Sequence, residues 1–424
     1  MNIKNYRARI IDTKINEYLK IFGAILIEGP KWCGKTWSSK NNCKSEFLVA
    51  SPSGNFNNRT LAKVNPMLVL EGDKPKLIDE WQEVPSLWDA VRGYVDGTTE
   101  KGNFILTGSA SINKESYIHS GTGRIGRIRM RPMTLYESGK SDGIISLKDI
   151  CYGKAKDSYT GDVKLDTIIE NILIGGWPAN LNLNIEQSIL VSREYVKSII
   201  NEDIFKIDGI KRDKHKIELL LKSLARNEAT TVSNNTIKKD IQEQELNNIN
   251  IDTIGEYLNL LKNLYLTENL PPYSNKIRSS LRVKQSKKRH FVDPSLPCAI
   301  LNLRKEHLLN DLEFLGFLFE SMVERDLLTY SESFYGKLYH YQDYNGNEID
   351  AVIELEDGSW CAFEIKLGAN QIESAAKNLL SIKEKIEKTG GNGPKHMCVI
   401  CGLSNAAYMR EDVVYVVPIT ALKD

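Results

Sequence analysis

The run Ala24-Ile25-Leu26-Ile27-Glu28, followed at once by Gly29-Pro30-Lys31-Trp32-Cys33-Gly34-Lys35-Thr36, decides how the front of this chain folds. Four apolar residues in a row ahead of one acid suit a short strand buried on both faces of a parallel sheet. The next eight match G-x-x-x-x-G-K-[ST] in full. Glycines at positions 29 and 34 let main-chain N–H groups turn inward around an anion. A helix beginning at this point aims its positive end at the same anion. The segment from Gly29 to Thr36, with Trp37 behind it, is therefore expected to hold the phosphates of ATP. Lys35 reaches the β- and γ-phosphates, and the Thr36 hydroxyl is the expected Mg²⁺ ligand.

Two later strands extend this expectation. Lys76-Leu77-Ile78-Asp79-Glu80 ends in a pair of acids, Asp79 for the metal's shell and Glu80 to polarise the attacking water. Asn103-Phe104-Ile105-Leu106-Thr107-Gly108-Ser109 ends in small polar residues. Thr107 or Ser109 is a candidate to sense the γ-phosphate or place water; the bland alternative is a strand-terminal turn. In open α/β sheets ligands collect at the carboxyl ends of strands, where all three segments end. Downstream, Arg127, Arg129 and Arg131 alternate with Ile128 and Met130, as on a strand with one charged face. Arg124 sits in a glycine-rich approach and is read as an arginine finger for a neighbouring copy's ATP, against the alternative of a solvated strand face.

Composition sets the outer limits. At 424 residues the chain predicts several domains. Hydrophobic residues at 41% and charged residues at 26% describe an ordinary globular protein, and a net charge of +1 confines any nucleic-acid surface to a local patch. Seven cysteines show no metal-ligand spacing. Cys398 and Cys401 form a C-x-x-C, but inside an apolar run that reads as a buried strand. An odd cysteine count and the absence of an apolar leader in Met1 to Lys14 predict a reducing, cytoplasmic setting. No run of about 18 apolar residues predicts a membrane span.

Taken together, GPKWCGKT, LIDEWQEVP, FILTGSAS and GTGRIGRIRMRPMTLYE resemble the AAA+-type P-loop ATPases of bacteria and archaea that carry an uncharacterised C-terminal domain. The resemblance includes Leu77 to Pro85, and Gly123-Arg124 ahead of Pro132 to Leu135. It implies an α/β P-loop NTPase domain with a parallel, AAA+-like sheet over residues 1–140. A linker and helical lid are expected over 141–210. There Lys140 to Thr160 reads as a polar linker or insertion, and Gln187 to Ile207 as one long amphipathic helix. Between them Gly175-Gly176-Trp177-Pro178 reads as a helix stop, a rigid turn and an aromatic anchor, and resembles the opening of the family's C-terminal region.

Residues 211–305 predict a winged-helix-like domain: three helices, then short strands at Leu266 to Pro271 and Arg289 to Val292 around a basic wing. That wing carries Arg278, Arg282, Lys284, Lys287, Lys288 and Arg289. DNA phosphate contact is one reading, and a packing module with a solvated loop is the other.

Residues 306–424 predict an α/β domain in which a helix over Leu312 to Tyr330 precedes a hairpin turning at Tyr344-Asn345-Gly346-Asn347. On its strands Glu364 and Lys366 share one face, with Asp350 on the antiparallel neighbour. Two carboxylates and a lysine suit a Mg²⁺ site. This resembles the D-x(n)-E-x-K arrangement of the PD-(D/E)XK nuclease fold, with Glu320 in the place of its extra helix acid and Gln371 near phosphate or substrate. The expected metal set is thus Thr36 and Asp79 at one site, and Glu320, Asp350 and Glu364 at the other. ATP, DNA and further copies of the chain are the expected partners. The leading reading is an ATP-hydrolysing protein acting on DNA. A nucleotide-controlled binding protein and an ATP-gated, metal-dependent DNA endonuclease stand beside it.

Overall fold

The computed structural model describes residues 6–109, 121–206, 212–244, 249–274 and 286–424. The chain divides into two compact units, one of residues 1–132, 201–212 and 260–266, the other of residues 133–200, 213–259 and 267–424. Arg278, Arg282 and Lys284 lie outside the described residues.

The first unit is built on strands β1 (Ala24–Glu28), β2 (Ser45–Leu48), β3 (Lys76–Asp79), β4 (Phe104–Gly108) and β5 (Ile125–Arg129). All pair in parallel, in the order β2-β3-β4-β1-β5. Alternation along each strand splits the apolar residues between two cores. Ala24, Leu26, Ile78, Phe104 and Leu106 pack with Leu87, Trp88 and Val91 of the helix Ser86–Asp96. Ile25, Ile27, Leu77, Ile105 and Ile128 pack on the other face with Ile15 of the helix Ile11–Ile21. Both faces are covered, so the strands read as apolar runs without alternation. β4 lies between β1 and β3, which brings three strand ends side by side at one edge of the sheet.

The second unit begins with two short strands, β6 (Ile145–Ser146) and β7 (Ser158–Tyr159). Its main strands are β8 (Lys337–Gln342), β9 (Glu348–Glu354), β10 (Trp360–Lys366), β11 (His396–Cys401), β12 (Ala406–Met409) and β13 (Val414–Pro418), with β14 (Leu422–Lys423) at the end. Seven of them form one mixed sheet, ordered β7-β12-β13-β11-β10-β9-β8. β8, β9 and β10 are antiparallel neighbours, and β10, β11 and β13 run parallel. The helix Leu312–Ser333 precedes β8, and the helix Ile372–Lys388 connects β10 to β11. Ala376, Leu379 and Ile382 of the second helix pack on Val352, Trp360, Val399 and Val416 of the sheet. The hairpin turns where its Asn-Gly pair predicts: Asp343 Oδ1 accepts the N–H groups of Asn345 and Asn347 at 2.8 and 2.9 Å, and Gly346 takes φ 78°.

Three local readings change. Lys140 to Thr160 is built into the second unit, since β6 pairs with β14, β7 pairs with β12, and Leu147, Ile150 and Cys151 are buried. Its few apolar residues are spaced too widely to stand out from polar neighbours. The long helix expected from Gln187 is interrupted: the helix Ile185–Ser198 widens into a π-turn at Ile199–Asp203 before a last turn, Ile204–Lys206, and Ile207 lies outside the described residues. The wing reading fails for Lys288 and Arg289. Lys288 is buried, and Arg289 is held by Val232 O at 2.8 Å and Asn234 Oδ1 at 2.6 Å. The C-x-x-C lies on β11 as two buried free thiols.

Gly175 ends its helix at φ 68°, where a Cβ would come within 2.4 Å of Asp293 Oδ1. Gly176 N donates to Asp293 Oδ2 at 2.8 Å, and Trp177 Nε1 donates to Ser295 Oγ at 2.9 Å, so the aromatic anchor is hydrogen-bonded as well as buried.

A polar seam runs through the second unit. After the helices Lys214–Arg226, Asn234–Gln244 and Ile251–Asn263, the chain returns through antiparallel bridges Thr267↔Phe291 and Leu270↔Lys288. Alternation then points Lys288 and His290 the same way, toward Glu320 and Glu324 of the helix Leu312–Ser333. Two residues of strand advance about 6.6 Å and four of helix about 6 Å, so the two pairs come into step. Lys288 Nζ donates to Glu324 Oε1 at 2.9 Å, and His290 Nε2 lies 3.1 Å from Glu324 Oε2.

Behind them Glu228 accepts Ser321 Oγ at 2.7 Å and Phe291 N at 3.1 Å, with His290 Nδ1 3.4 Å away. Burial pushes the Glu228 carboxyl up to about 8, with the Ser321 and Phe291 donors opposing and Asp293 adding to it. Burial also pushes His290 down to about 4, against the pull of Glu324. Folded Glu228 therefore keeps a proton that the unfolded chain, with an ordinary value of 4.5, gives up. Stability falls as pH rises through that window. His290 has the opposite slope but is exhausted above its ordinary value of 6.5. Between 6.5 and about 8, Glu228→Gln is predicted to flatten the loss of thermal stability with rising pH. Unfolding midpoints that fall as steeply as in the parent would contradict the protonated Glu228.

Candidate nucleotide site and a second charged cleft

The loop after β1 turns on two backbone conformations with positive φ, Trp32 at 67° and Gly34 at 106°. Gly29 is needed for close approach, because a Cβ there would meet Met130 O at 2.2 Å. Lys35 starts the helix Lys35–Asn41 and is buried. Its ammonium turns back into the loop and donates to Gly29 O at 2.9 Å and Pro30 O at 2.7 Å. An ammonium held on neutral main-chain oxygens keeps its charge for an incoming anion.

The loop is also braced from outside. Arg9 donates through one guanidinium nitrogen to Cys33 O at 2.8 Å and through another to Arg131 O at 2.9 Å. Lys31 pairs with buried Asp203 at 2.6 Å. Cys33 is buried against Met130, while Trp32 and Trp37 are both more than half exposed beside the loop. Arg9 and Asp203 carried no motif signal. They meet the loop only through the fold, from 24 and 172 residues away.

The ends of β3 and β4 complete the site. Asp79 Oδ1 accepts the hydroxyls of Thr36 at 3.0 Å and Thr107 at 2.6 Å. Thr107 in turn accepts Glu80 N at 3.1 Å. Glu80 sits in the left-handed region, φ 56°, and its Oε2 takes Ser109 Oγ at 3.1 Å together with the Gln82 amide. The donor set fits a nucleotide triphosphate: a glycine loop with a lysine, and beside it a hydroxyl and a carboxylate. Lys35 and the loop amides are the groups that would hold phosphate, and Thr36 with Asp79 those that would hold magnesium.

Arg124 is not brought to this edge. It precedes Ile125, which pairs with Ala24 at the start of β1, while the loop leaves β1 from the other end after Glu28. There its guanidinium pairs with Asp96 at 2.6 Å and stays about half exposed. Arg127 pairs with Glu28, and Arg129 lies 3.9 Å over the ring of Tyr265.

The second unit holds a separate pocket of about 360 Å³ at the end of β9 and β10, lined among others by Lys288, Glu320, His340, Asp350 and Lys366. Asp350 Oδ2 accepts Ile365 N at 2.7 Å and Lys366 Nζ at 2.8 Å. Lys366 also reaches Glu364 at 2.7 Å, and Glu364 accepts Asn378 Nδ2 at 2.9 Å. Glu320 is paired with Lys288. Burial pushes Glu364 up to about 7, Asp350 adding and Lys366 opposing. Burial raises Asp350 too, but Lys366 and Lys288 outweigh it and hold that carboxyl below the ordinary range. Gln371 is elsewhere, accepting Gly368 N at 3.1 Å in its own turn. Among the described residues, no group of three or more His, Cys, Asp or Glu side chains is placed to hold a metal ion, and no helix is long and apolar enough to cross a membrane.

Comparison with known proteins assigns the parts unequally. Residues 22–138 match the family described as AAA domain. Residues 165–307 match Domain of unknown function (DUF8612), and residues 315–422 match Domain of unknown function (DUF4143). No curated protein matches the chain. Among solved structures, the Walker-type ATPase PABY2304 of Pyrococcus abyssi aligns at 12% identity and TM-score 0.43, over 70% of this chain and 97% of its own. The Aeropyrum pernix ORC1 protein in complex with DNA aligns at 10% identity and TM-score 0.25, over 71% and 94%. Scores this low give neither likeness weight in assigning fold or function. The family match and the loop, acids and hydroxyls at one sheet edge agree, and residues 22–138 are a P-loop ATPase domain of the AAA type.

Proposed function

We propose that the chain hydrolyses ATP with magnesium in the first unit and uses the second unit to engage DNA. One observation carries the first half: a single oxygen of Asp79 gathers the hydroxyls of Thr36 and Thr107. That ties the helix after the loop to β3 and β4. A group arriving at Thr36 must therefore be felt at Thr107 and, through its hydroxyl, at the main chain of Glu80. Glu80 is the proposed water-orienting base, held on Ser109 and Gln82 until its carboxylate is required. Arg124 lies at the opposite end of β5 from the phosphate loop, so a finger role for it would require the nucleotide of a neighbouring copy.

What supports the second half is element order. A helix, three antiparallel strands, a helix and a parallel strand, with Asp350 on β9 and Glu364 and Lys366 on β10, suit the PD-(D/E)XK resemblance. Three helices followed by the antiparallel bridges Thr267↔Phe291 and Leu270↔Lys288 suit a winged-helix reading of the middle. Both are folds in which nucleic acid is a common ligand.

Glu80→Gln is expected to keep ATP binding and lose turnover by about a hundredfold or more. Steady hydrolysis at the parent rate would remove Glu80 from the reaction. Fluorescence anisotropy with labelled duplex DNA is expected to show binding that weakens steeply with salt. No binding at low salt would remove DNA as the partner.

A further inference from the structure

We propose that Lys288 is the resident cation of the second unit's charged cleft, standing where a nuclease-like site would need a divalent metal, so that the cleft binds without cutting. The inference rests on the PD-(D/E)XK reading above and goes beyond it by assigning the site's chemistry.

The geometry begins with the acids. Of the side chains expected to hold Mg²⁺, Glu320 and Asp350 line the cleft, and Glu364 is joined to Asp350 through Lys366. Each already has a lysine partner. Glu320 is paired with Lys288, Asp350 accepts Lys366 and Ile365 N through one oxygen, and Glu364 accepts Lys366 and Asn378. A hard divalent ion is held by ionised carboxylates with water completing its shell, and a carboxylate already neutralised by an ammonium must give up that partner to ligate it. The arrangement offers ammonium groups in that place.

Lys288 is a built-in component and not a surface lysine that strays into the cleft. Its main chain is pinned on both sides, Lys288 N to Leu270 O at 3.0 Å and Leu270 N to Lys288 O at 2.9 Å. Its side chain is only 10% exposed. The ammonium donates to Glu320, to Glu324 Oε1 at 2.9 Å and to the main-chain oxygen of Asp350 at 3.0 Å, so all three protons have acceptors. The helix acids Glu320 and Glu324, one turn apart, and the β9 backbone thereby share one positive charge. Removing that charge would leave buried carboxylates with Lys366 as the cation in the cleft among the described residues, an arrangement that either takes up protons or recruits a metal. His290 cannot substitute, because burial keeps it neutral at ordinary pH.

The cleft itself stays open. Its 360 Å³ are bordered by Thr230, Thr231 and His340 as well as by the charged groups, leaving room for a nucleotide-sized ligand.

Mn²⁺ binding to the full chain without nucleotide, followed by electron paramagnetic resonance, tests this directly. Asp350→Asn identifies which bound Mn²⁺ belongs to the cleft, apart from any at the ATP site. The parent is expected to show no Mn²⁺ signal that depends on Asp350. Lys288→Ala is expected to gain one, and the double variant with Asp350→Asn to lose it again. Lys288→Met fills the same volume and serves if the alanine variant does not fold. An Asp350-dependent Mn²⁺ site in the parent overturns the proposal, as does a folded Lys288 variant that acquires none. The readout involves no DNA, so a failure of the anisotropy experiment with the metal gain intact would sink the DNA reading and leave this inference standing.

Discussion

The Lys35 ammonium, folded back onto the carbonyls of Gly29 and Pro30, is the contact around which the first unit is organised. A buried cation on neutral oxygens is tolerable only where the surrounding backbone is fixed, since loss of an acceptor would leave the charge stranded. The fold supplies that rigidity from several directions. β1 lies between β4 and β5, Arg9 ties the loop to the chain leaving β5, and Asp203 holds Lys31. The result is a concave row of donors with a positive centre, next to the carboxylate of Asp79.

The two charged sites of the molecule treat their cations in opposite ways. In the first unit the lysine leaves the neighbouring acid alone: Asp79 is satisfied by two hydroxyls, which a metal can share or displace at small cost. In the second unit the lysines are bonded to the acids themselves, with Lys366 on Asp350 and Glu364, and Lys288 on Glu320 and Glu324. Burial strengthens such pairs and makes each partner expensive to remove. One site is thus prepared to exchange its ligands and the other to keep its internal charges together.

How much of this was legible in the sequence depends on the distance over which each feature is specified. The phosphate loop, the Asp79-Glu80 strand end and the Asn345-Gly346 turn are written in consecutive residues, and each took the expected form. For Thr107 the sequence leaves two readings open, and the insertion of β4 between β1 and β3 adds only that its hydroxyl meets Asp79. Arg9, Asp203 and Glu324 gave no signal because their partners lie far away in the chain. Lys288 gave a misleading one. In a run of basic residues it looks like part of a solvated loop, yet strand alternation turns it inward while Arg289 turns away. Lys140 to Thr160 misled in the reverse sense, its polar composition concealing β6, β7 and a buried turn of helix.

Because the assignment of the first unit rests on a triphosphate being received by the Lys35 loop, calorimetric titration of ATP into Lys35→Ala is the most direct measurement of it. The heat of binding is expected to disappear in a variant whose unfolding temperature shows an intact sheet. Undiminished ATP affinity in that folded variant would contradict it.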